Sequence, residues 1–397
     1  MAGTLPLAGI RVLDLTQIYN GPYATFLMAM AGAEVIKVEP PGGEFLRRRD
    51  ARTGAGVPFA MLNACKRSVS LNLKTERGRA LFLELAETAD VVAENYAPGV
   101  VDRLGIGYGV LRDRNRAIVF ASGSGYGQDG GYRDFPAMDL TVQAMSGVMC
   151  VTGYAEGPPT KSGAALCDFF GGVHLYGAIM TALFRRARTG EGACIDVSML
   201  EAVYPSMASN IGMTYGERDD IPLRTGNRHG GLSLSPYNVY PAADGHIAII
   251  CNSDDHWRRL CTAMGRPEYK DDSAFHSNKE RVANMERVDQ IVASWTGQYE
   301  KAQLFEVLIK HRVPSAPVRD LPEVIGDPVL RARGALLEIE HPHYGPMVVP
   351  RSALRYADTP QADYRASPAC GADNAEVYGA LGVDAAELAR LAKDGVV

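Results

Sequence analysis

Between residues 9 and 125, short apolar runs alternate with stretches of helical spacing, and this alternation narrows the possible folds more than any other feature. "GIRVLDL" (9–15), "AEVIKVE" (33–39), "VVAENY" (91–96) and "AIVFASGSG" (117–125) are rich in Val, Ile and Leu and read as strands. Between them, "GPYATFLMAMAG" (21–32) has helical spacing, with Pro22 suited to a first turn and Gly32 to a stop. "LKTERGRALFLELAETAD" (73–90) is amphipathic with a 3.6-residue period and opens at Thr75. Strands that alternate with helices predict an α/β protein with a mainly parallel sheet.

The rest of the chain departs from that rhythm. From 138 to about 210 the pattern is helical, interrupted by a strand in "GEGACIDVSM" (190–199). Residues 214–235 are rich in Gly, Arg and Ser and read as a linker. "YNVYPAADGHIAIICN" (237–252) predicts a hairpin turning at Asp244–Gly245. "DDHWRRLCTAMG" and "NMERVDQIVASWTGQYEKAQLFEVLIKHR" follow as helices of a smaller unit. Strands return in 336–356, and "DAAELARLAKDGV" closes as a helix. At 397 residues the chain is too long for one simple core, so two domains are expected.

Charge and cysteine usage exclude several functions. A net charge of −5 gives no global field for nucleic acid or an anionic membrane, so anion binding must come from local Lys and Arg clusters. Seven scattered cysteines with no CxxC predict free thiols in a reducing compartment. The opening "MAGTLPLAGIRVLDLTQ" lacks the pattern of a signal peptide, and "ATFLMAMAGAEVI" is too short to span a bilayer. Cytoplasmic location is the expectation. His341 and His343 in "EHPHYGP" read as a surface turn, and no metal is expected.

Two motifs bear on chemistry. "SGSGYGQDGG" (122–131) contains GxGxG, but it runs on into loop instead of opening a helix, which argues against a nicotinamide site. In "GAALCDFFGGVHLYG" (163–177), Asp168 precedes a helix expected over 169–187, so it can be an N-cap, a nucleophile at the edge of a dry pocket, or both. A carboxylate at a helix start has its charge stabilised there. Gly171 and Gly172 would let a ligand approach the backbone. Cys167 has no base beside it, since His174 is seven residues on, and reads as an inert thiol.

"GPPTKSGAALCDFFGGVHLYGAIMTALFRRARTGEGACIDVSMLEA" (157–202) resembles the signature region of class III CoA-transferases, the CaiB/BaiF family of formyl-CoA transferase-like proteins. The resemblance runs nearly end to end. It takes in "VLDLTQIYNGPYAT", "GAEVIKVEPPGGE", "NACKRSVSLNLKTERGRALF", "VVAENYAPGVVDRLG", "DLTVQAMSGVM" and "RTGNRHGG" (224–231) in order. It implies that Asp168 is a covalent nucleophile moving CoA from an acyl-CoA to a free carboxylic acid. CoA is then a substrate, and no cofactor is tightly bound.

The resemblance further implies a CoA site formed by Lys37, Leu71, Lys74, Asn95, Tyr96, Val100, Arg103 and Leu104, with Tyr19 and Tyr126 nearer the reacting end. Lys74 and Arg103 supply charge suited to phosphates; Arg47, Arg48 and Arg49 form another basic run. Gly230 and Gly231 resemble a loop that covers the acyl group, and Arg228 and His229 are candidates for a second carboxylate. The family's best-known transferase has glutamine at the position of Tyr19, which separates this chain from an oxalate-specific pattern. An α-methylacyl-CoA racemase is the alternative enzyme, but it needs a histidine where this chain has Met138, and a thioether exchanges no proton. A non-catalytic acyl-CoA-binding relative is the third. The implied architecture is a Rossmann-like large domain (1–200 and 330–397), a linker (201–224) and a smaller α+β domain (225–329), in an interlocked homodimer.

Overall fold

The computed structural model describes residues 4–49, 56–216 and 222–397. In chain order the elements begin β1 (Arg11–Asp14), α1 (Asn20–Met30), β2 (Glu34–Glu39), α2 (Val57–Leu62), β3 (Arg67–Ser70), α3 (Glu76–Glu87) and β4 (Val91–Glu94). They continue with α4 (Val100–Arg103), α5 (Tyr108–Arg114), β5 (Val119–Ser124), α6 (Asp139–Ser146), α7 (Val148–Val151), α8 (Leu166–Thr189), β6 (Ala193–Ser198) and α9 (Met199–Val203). The strands and helices expected before residue 125 are all present. The Thr75 hydroxyl caps α3 by accepting the Gly78 N–H at 3.0 Å.

β1 to β6 form one six-stranded sheet, every pairing parallel, in the order β3-β2-β1-β4-β5-β6. The central strands β1, β4 and β5 are buried almost throughout, so both of their faces carry core residues, whereas the edge strand β6 alternates between half-buried and exposed positions. Alternation decides which core each residue joins. Val12, Val35, Val91 and Val119 pack with Phe26 and Met28 of α1 and Leu175 and Ile179 of α8. Leu13, Ile36, Val69 and Phe120 face the other way, onto Leu81, Phe82 and Leu85 of α3. α8 is long and apolar enough to cross a membrane by length and composition, yet Cys167, Leu175 and Ile179 on it are buried, and two of these lie in the sheet's core.

The strand order has a physical consequence. β1 and β4 are neighbours, and the chain winds outward from them in both directions. In such sheets a crevice opens beyond the carboxyl ends of the two central strands. Here those ends are Asp14 and Glu94.

The chain divides into two compact units, 1–146 with 164–205 and 327–397, and 147–163 with 206–326. Residues 147–163, which the sequence groups with the large domain, cluster with the second unit instead. The second unit contains α10 (Ala208–Met213), β7 (Tyr237–Ala242), β8 (Gly245–Ile250), α11 (Asp254–Ala263), α12 (Asn278–Ala283), α13 (Met285–Thr296), α14 (Lys301–Lys310), β9 (Ser315–Pro317) and α15 (Leu321–Ile325). Helix α10 lies within the segment expected as linker; residues 217–221 of that segment lie outside the described residues. β7, β8 and β9 form an antiparallel sheet whose core includes Trp257, Leu260, Val288, Val292, Leu304 and Leu308. The turn between β7 and β8 is Ala243–Asp244, one residue earlier than expected. The first unit resumes with α16 (Pro328–Ala332), the antiparallel pair β10 (Leu336–His341) and β11 (Gly345–Pro350), α17 (Asn374–Gly379) and α18 (Ala385–Lys393).

Candidate active site

The loops that leave β1, β4 and β5 meet at the crevice and enclose a cavity of about 270 Å³. Its walls are Gln17 and Ile18 after β1, Asn95–Ala97 after β4 and Gly123–Gly125 at the end of β5. Asn20, Ala137, Met138, Asp139, Asp168 and Met199 complete it. Two of these groups are acids, and no lining side chain is cationic.

The loop after β1 is fixed by buried charge. Asp14 accepts the Thr16 N–H at 2.9 Å and the Thr25 hydroxyl at 2.7 Å, and pairs with the Lys66 ammonium at 2.8 Å. The Lys37 ammonium donates to the Thr16 carbonyl at 2.5 Å. Asn95 clamps Gln17 from both sides, accepting its N–H at 2.7 Å and donating to its carbonyl at 2.8 Å. Together these hold Ile18 at φ +67°, a conformation costly for a β-branched residue. The strain sits at the cavity wall.

Asp168 does not cap α8. The helix begins at Leu166, so Asp168 is its third residue, and the flanking residue is Ala165, which has no capping side chain. The cap comes from elsewhere in sequence. Asp139, first residue of α6, accepts the Cys167 N–H at 2.9 Å and the Asp168 N–H at 3.2 Å through one carboxylate oxygen. Its other oxygen accepts the Gln143 side-chain amide at 2.6 Å. The helix start therefore stabilises the charge of Asp139, not that of Asp168 as the sequence suggests. Asp168 is only 8% exposed, and burial together with the nearby Asp139 charge pushes its carboxyl up to about 7.

The glycines after Asp168 serve packing. A Cβ at Gly171 would strike the Asn20 carboxamide, and one at Gly172 would lie 2.5 Å from the Asn20 carbonyl oxygen. They admit the start of α1, where the sequence expected a ligand. Asn20 in turn donates to the Asp168 carbonyl at 3.4 Å, tying α1 to the first turn of α8. Tyr19 and Tyr23 close the outer side against Phe169, with ring centroids 6.1 and 4.9 Å away.

The other residues expected at the site are dispersed. Asn95, Tyr96 and Asp168 share the cavity wall. Val100, Arg103 and Leu104 follow on and after α4, with Arg103 exposed. Lys74 is exposed just before α3. Tyr126 packs edge-on against Tyr132 and Phe135. Two positions differ from expectation. Lys37 is 2% exposed, with its ammonium spent on Thr16, so it holds the loop instead of offering charge outward. Leu71 is sealed in the core beside α3.

In the second unit, Gly231 donates to the His229 ring at 3.1 Å, and Gly230 sits close to Asn210. Arg228 is paired with Asp289 at 2.8 Å, so it is not a free receptor for a second carboxylate. Arg47 pairs with Glu39 at 2.7 Å, and Arg49 lies over the Phe45 ring. Cys167 is buried and its thiol is pushed up to about 12, chiefly by burial. His341 bonds Ser367 at 3.1 Å, and among the described residues no cluster of ligands could hold a metal ion. Sequence reasoning missed Asp139 and Asn20 as partners of Asp168. Each lies far from it along the chain, and no local pattern marks the pairing.

In open parallel α/β sheets small molecules bind in the switch-point crevice, and the cavity that holds Asp168 lies there. Residues 7–374 match CoA-transferase family III, and the chain belongs to that family. It is 36% identical to a formyl-CoA:oxalate CoA-transferase of Streptomyces avermitilis, over 99% of this chain and 100% of that protein. It is 39% identical to an acetyl-CoA:oxalate CoA-transferase of Acetobacter aceti, over 84% and 86%. To the human succinyl-CoA:glutarate CoA-transferase it is 32% identical, over 92% and 84%. A CaiB/BaiF family protein of Brucella suis superposes with a TM-score of 0.84 at 31% identity, covering 96% of this chain and 100% of that one.

Proposed function

We propose that this chain is an acyl-CoA:carboxylate CoA-transferase in which Asp168 becomes covalently bonded to its cargo. The observation that carries the reading is the buried Asp168 carboxyl, raised to about 7 beside Asp139, on the wall of the switch-point cavity. A carboxylate of higher basicity is the stronger nucleophile, and near pH 7 a working fraction is still ionised. Asp168 attacks the thioester carbonyl and expels the CoA thiolate, leaving a mixed anhydride. The thiolate attacks the Asp168 carbonyl carbon, which releases the first acid and leaves an aspartyl-CoA thioester. The acceptor carboxylate then attacks that thioester and expels the thiolate again. Attack of the thiolate on the acceptor's acyl carbon yields the new acyl-CoA and frees Asp168.

Each step exchanges one activated acyl bond for another, so the activation of the starting thioester is carried through to the new acyl-CoA. Asp139 acts on Asp168 through charge and through the two N–H groups it occupies, and so works as a positioning residue. Asn20, the Asn95 clamp and the strained Ile18 loop hold the wall in one geometry before substrate arrives. The cavity suits a small carboxylic acid, and the names of the relatives support that substrate class. The strand order supports the Rossmann-like reading of the sheet. An interlocked homodimer and a cytoplasmic location belong to the same proposal. The racemase alternative is weakened by Met138, a thioether on the cavity wall at 58% exposure.

The test is direct trapping. Protein incubated with acetyl-CoA or succinyl-CoA and then borohydride is digested, and the peptide spanning residue 168 is weighed. A mass change from reduction at Asp168, with CoA exchange into some acid of a panel, is the expected result. An unmodified peptide and no exchange would overturn the transferase reading. Label uptake from deuterated water into a 2-methylacyl-CoA would favour the racemase.

A further inference from the structure

The carboxamide of Asn20 is only half used. The residue is 2% exposed on the cavity wall, and its side-chain nitrogen donates to the Asp168 carbonyl at 3.4 Å. Its side-chain oxygen is buried, and among the described residues it meets no hydrogen-bond donor. A Cβ on Gly123, another residue of the wall, would lie 2.5 Å from that oxygen, so the glycine makes room for it. Other polar side chains of the wall are engaged. Asn95 holds the main chain of Gln17, the Ser124 hydroxyl accepts the Gly127 N–H at 2.8 Å, and Asp139 takes up the start of α8 and Gln143. A buried acceptor without a donor is costly, and native interiors supply one.

The charges on the wall bear on what that donor is. Asp139 and Asp168 line the cavity, and no lining side chain is cationic. A carboxylate that reacts at Asp168 gives up its charge when the acyl bond forms. A second carboxylate on the same molecule would keep its charge against that of Asp139, and in a dry site such repulsion is strong. Arg228, the candidate receptor for a second carboxylate, is already paired with Asp289 at 2.8 Å. A hydroxyl is neutral and brings the donor that the Asn20 oxygen lacks. Ile18, Ala137, Met138 and Met199 give the wall apolar surface for a short carbon chain.

Resting on the CoA-transferase reading, we propose that the acid exchanged at Asp168 is a short hydroxy monocarboxylic acid, and that Asn20 selects it by accepting the hydrogen bond of its hydroxyl. The Asn20 carboxamide lies against the main chain of Asp168, so the hydroxyl sits close to the reacting carboxylate, on carbon 2 or 3.

The test is CoA transfer into matched acids, lactate against propionate and 3-hydroxybutyrate against butyrate, with succinate as the dicarboxylate. Acetyl-CoA, propionyl-CoA and succinyl-CoA serve as donors. In the wild type, kcat/KM for at least one hydroxy acid is expected to exceed that of its deoxy partner by about tenfold or more, the scale of a buried acceptor left without its donor. Asn20→Ala should bring that ratio to about one. The ratio is the readout because a merely structural role for Asn20 lowers both acids of a pair alike. Circular dichroism checks folding, and where Asn20→Ala folds poorly the wild-type ratio decides. Equal rates for the paired acids in the wild type, succinate preferred over every hydroxy acid, or an unchanged ratio in folded Asn20→Ala overturns the selection, while transfer itself leaves the CoA-transferase reading standing. No transfer from any donor into any acid, with an unmodified peptide at Asp168, overturns both.

Discussion

Asp14 and Asp168 are both buried aspartates of the sheet unit, and their surroundings drive them in opposite directions. For Asp14, burial alone would raise the carboxyl, but the Lys37 and Lys66 ammonium groups overcome it and hold the group far below the ordinary range. For Asp168, burial is joined by the charge of Asp139 and no cation answers it, so the carboxyl rises to about 7. Burial at Asp14 therefore yields a fixed ion that anchors a loop, and burial at Asp168 yields a carboxyl that holds its proton up to about pH 7. What decides is the partner, not the depth.

The largest expected effect breaks the pair on the reactive side. Asp168→Asn should lower CoA transfer by about a thousandfold or more, read by exchange kinetics, because the proposed acyl bond is made to the Asp168 carboxylate and an amide is no nucleophile. The same variant should be the more stable protein. The Asp168 carboxyl binds its proton more tightly folded, at about 7, than at its ordinary 3.8. The protonated acid is the tolerated form, so stability is fully present below about pH 4 and is lost as pH rises through 7. At pH 8 the asparagine variant should gain up to about 4 kcal/mol in urea unfolding, and a loss there would refute the buried, like-charged environment.

On the other side, Asp14→Asn leaves the Lys66 ammonium buried without its anion. A loss of about 3–5 kcal/mol is expected in the same unfolding experiment. For Asp14 the sign is reversed: its contribution is present above the ordinary carboxylate range and fades as pH falls. Stability profiles that slope the same way for Asp14→Asn and Asp168→Asn would erase the contrast.

The smallest effect sharpens it. Asp139→Asn keeps an oxygen for the Cys167 and Asp168 N–H groups but removes the neighbouring charge. The acid limb of the pH–rate profile should then move to lower pH, and folding stability near pH 8 should rise by the matching amount. Asp139→Ala also removes the cap, and about 1 kcal/mol of stability with it. An unmoved acid limb in Asp139→Asn would mean that Asp139 does not tune Asp168.

Much of this was legible in the chain. The apolar runs at 9–15, 33–39, 91–96 and 117–125 became β1, β2, β4 and β5, since strands covered on both faces need nothing but apolar residues in sequence. Thr75 marked the start of α3 because capping is local. Asp168 stood out as a lone acid between an apolar run and two glycines, yet its apparent cap role was wrong. The true cap is 29 residues away at Asp139, and long-range pairing leaves no periodic trace. The resemblance placed Lys37 at the CoA site, and its charge is visible in sequence, but its burial and its bond to the Thr16 carbonyl are not.

By itself the sequence determined the parallel α/β class, the helix and strand order of the first third and the acid to watch, because periodicity, caps and ordered motifs act over a few residues. Only the tertiary structure decided which groups meet that acid. Whether a buried carboxyl is quenched by a lysine or raised by a second carboxylate depends on distances of a few ångströms between segments remote in the chain, and electrostatics in a dry interior is set by those distances.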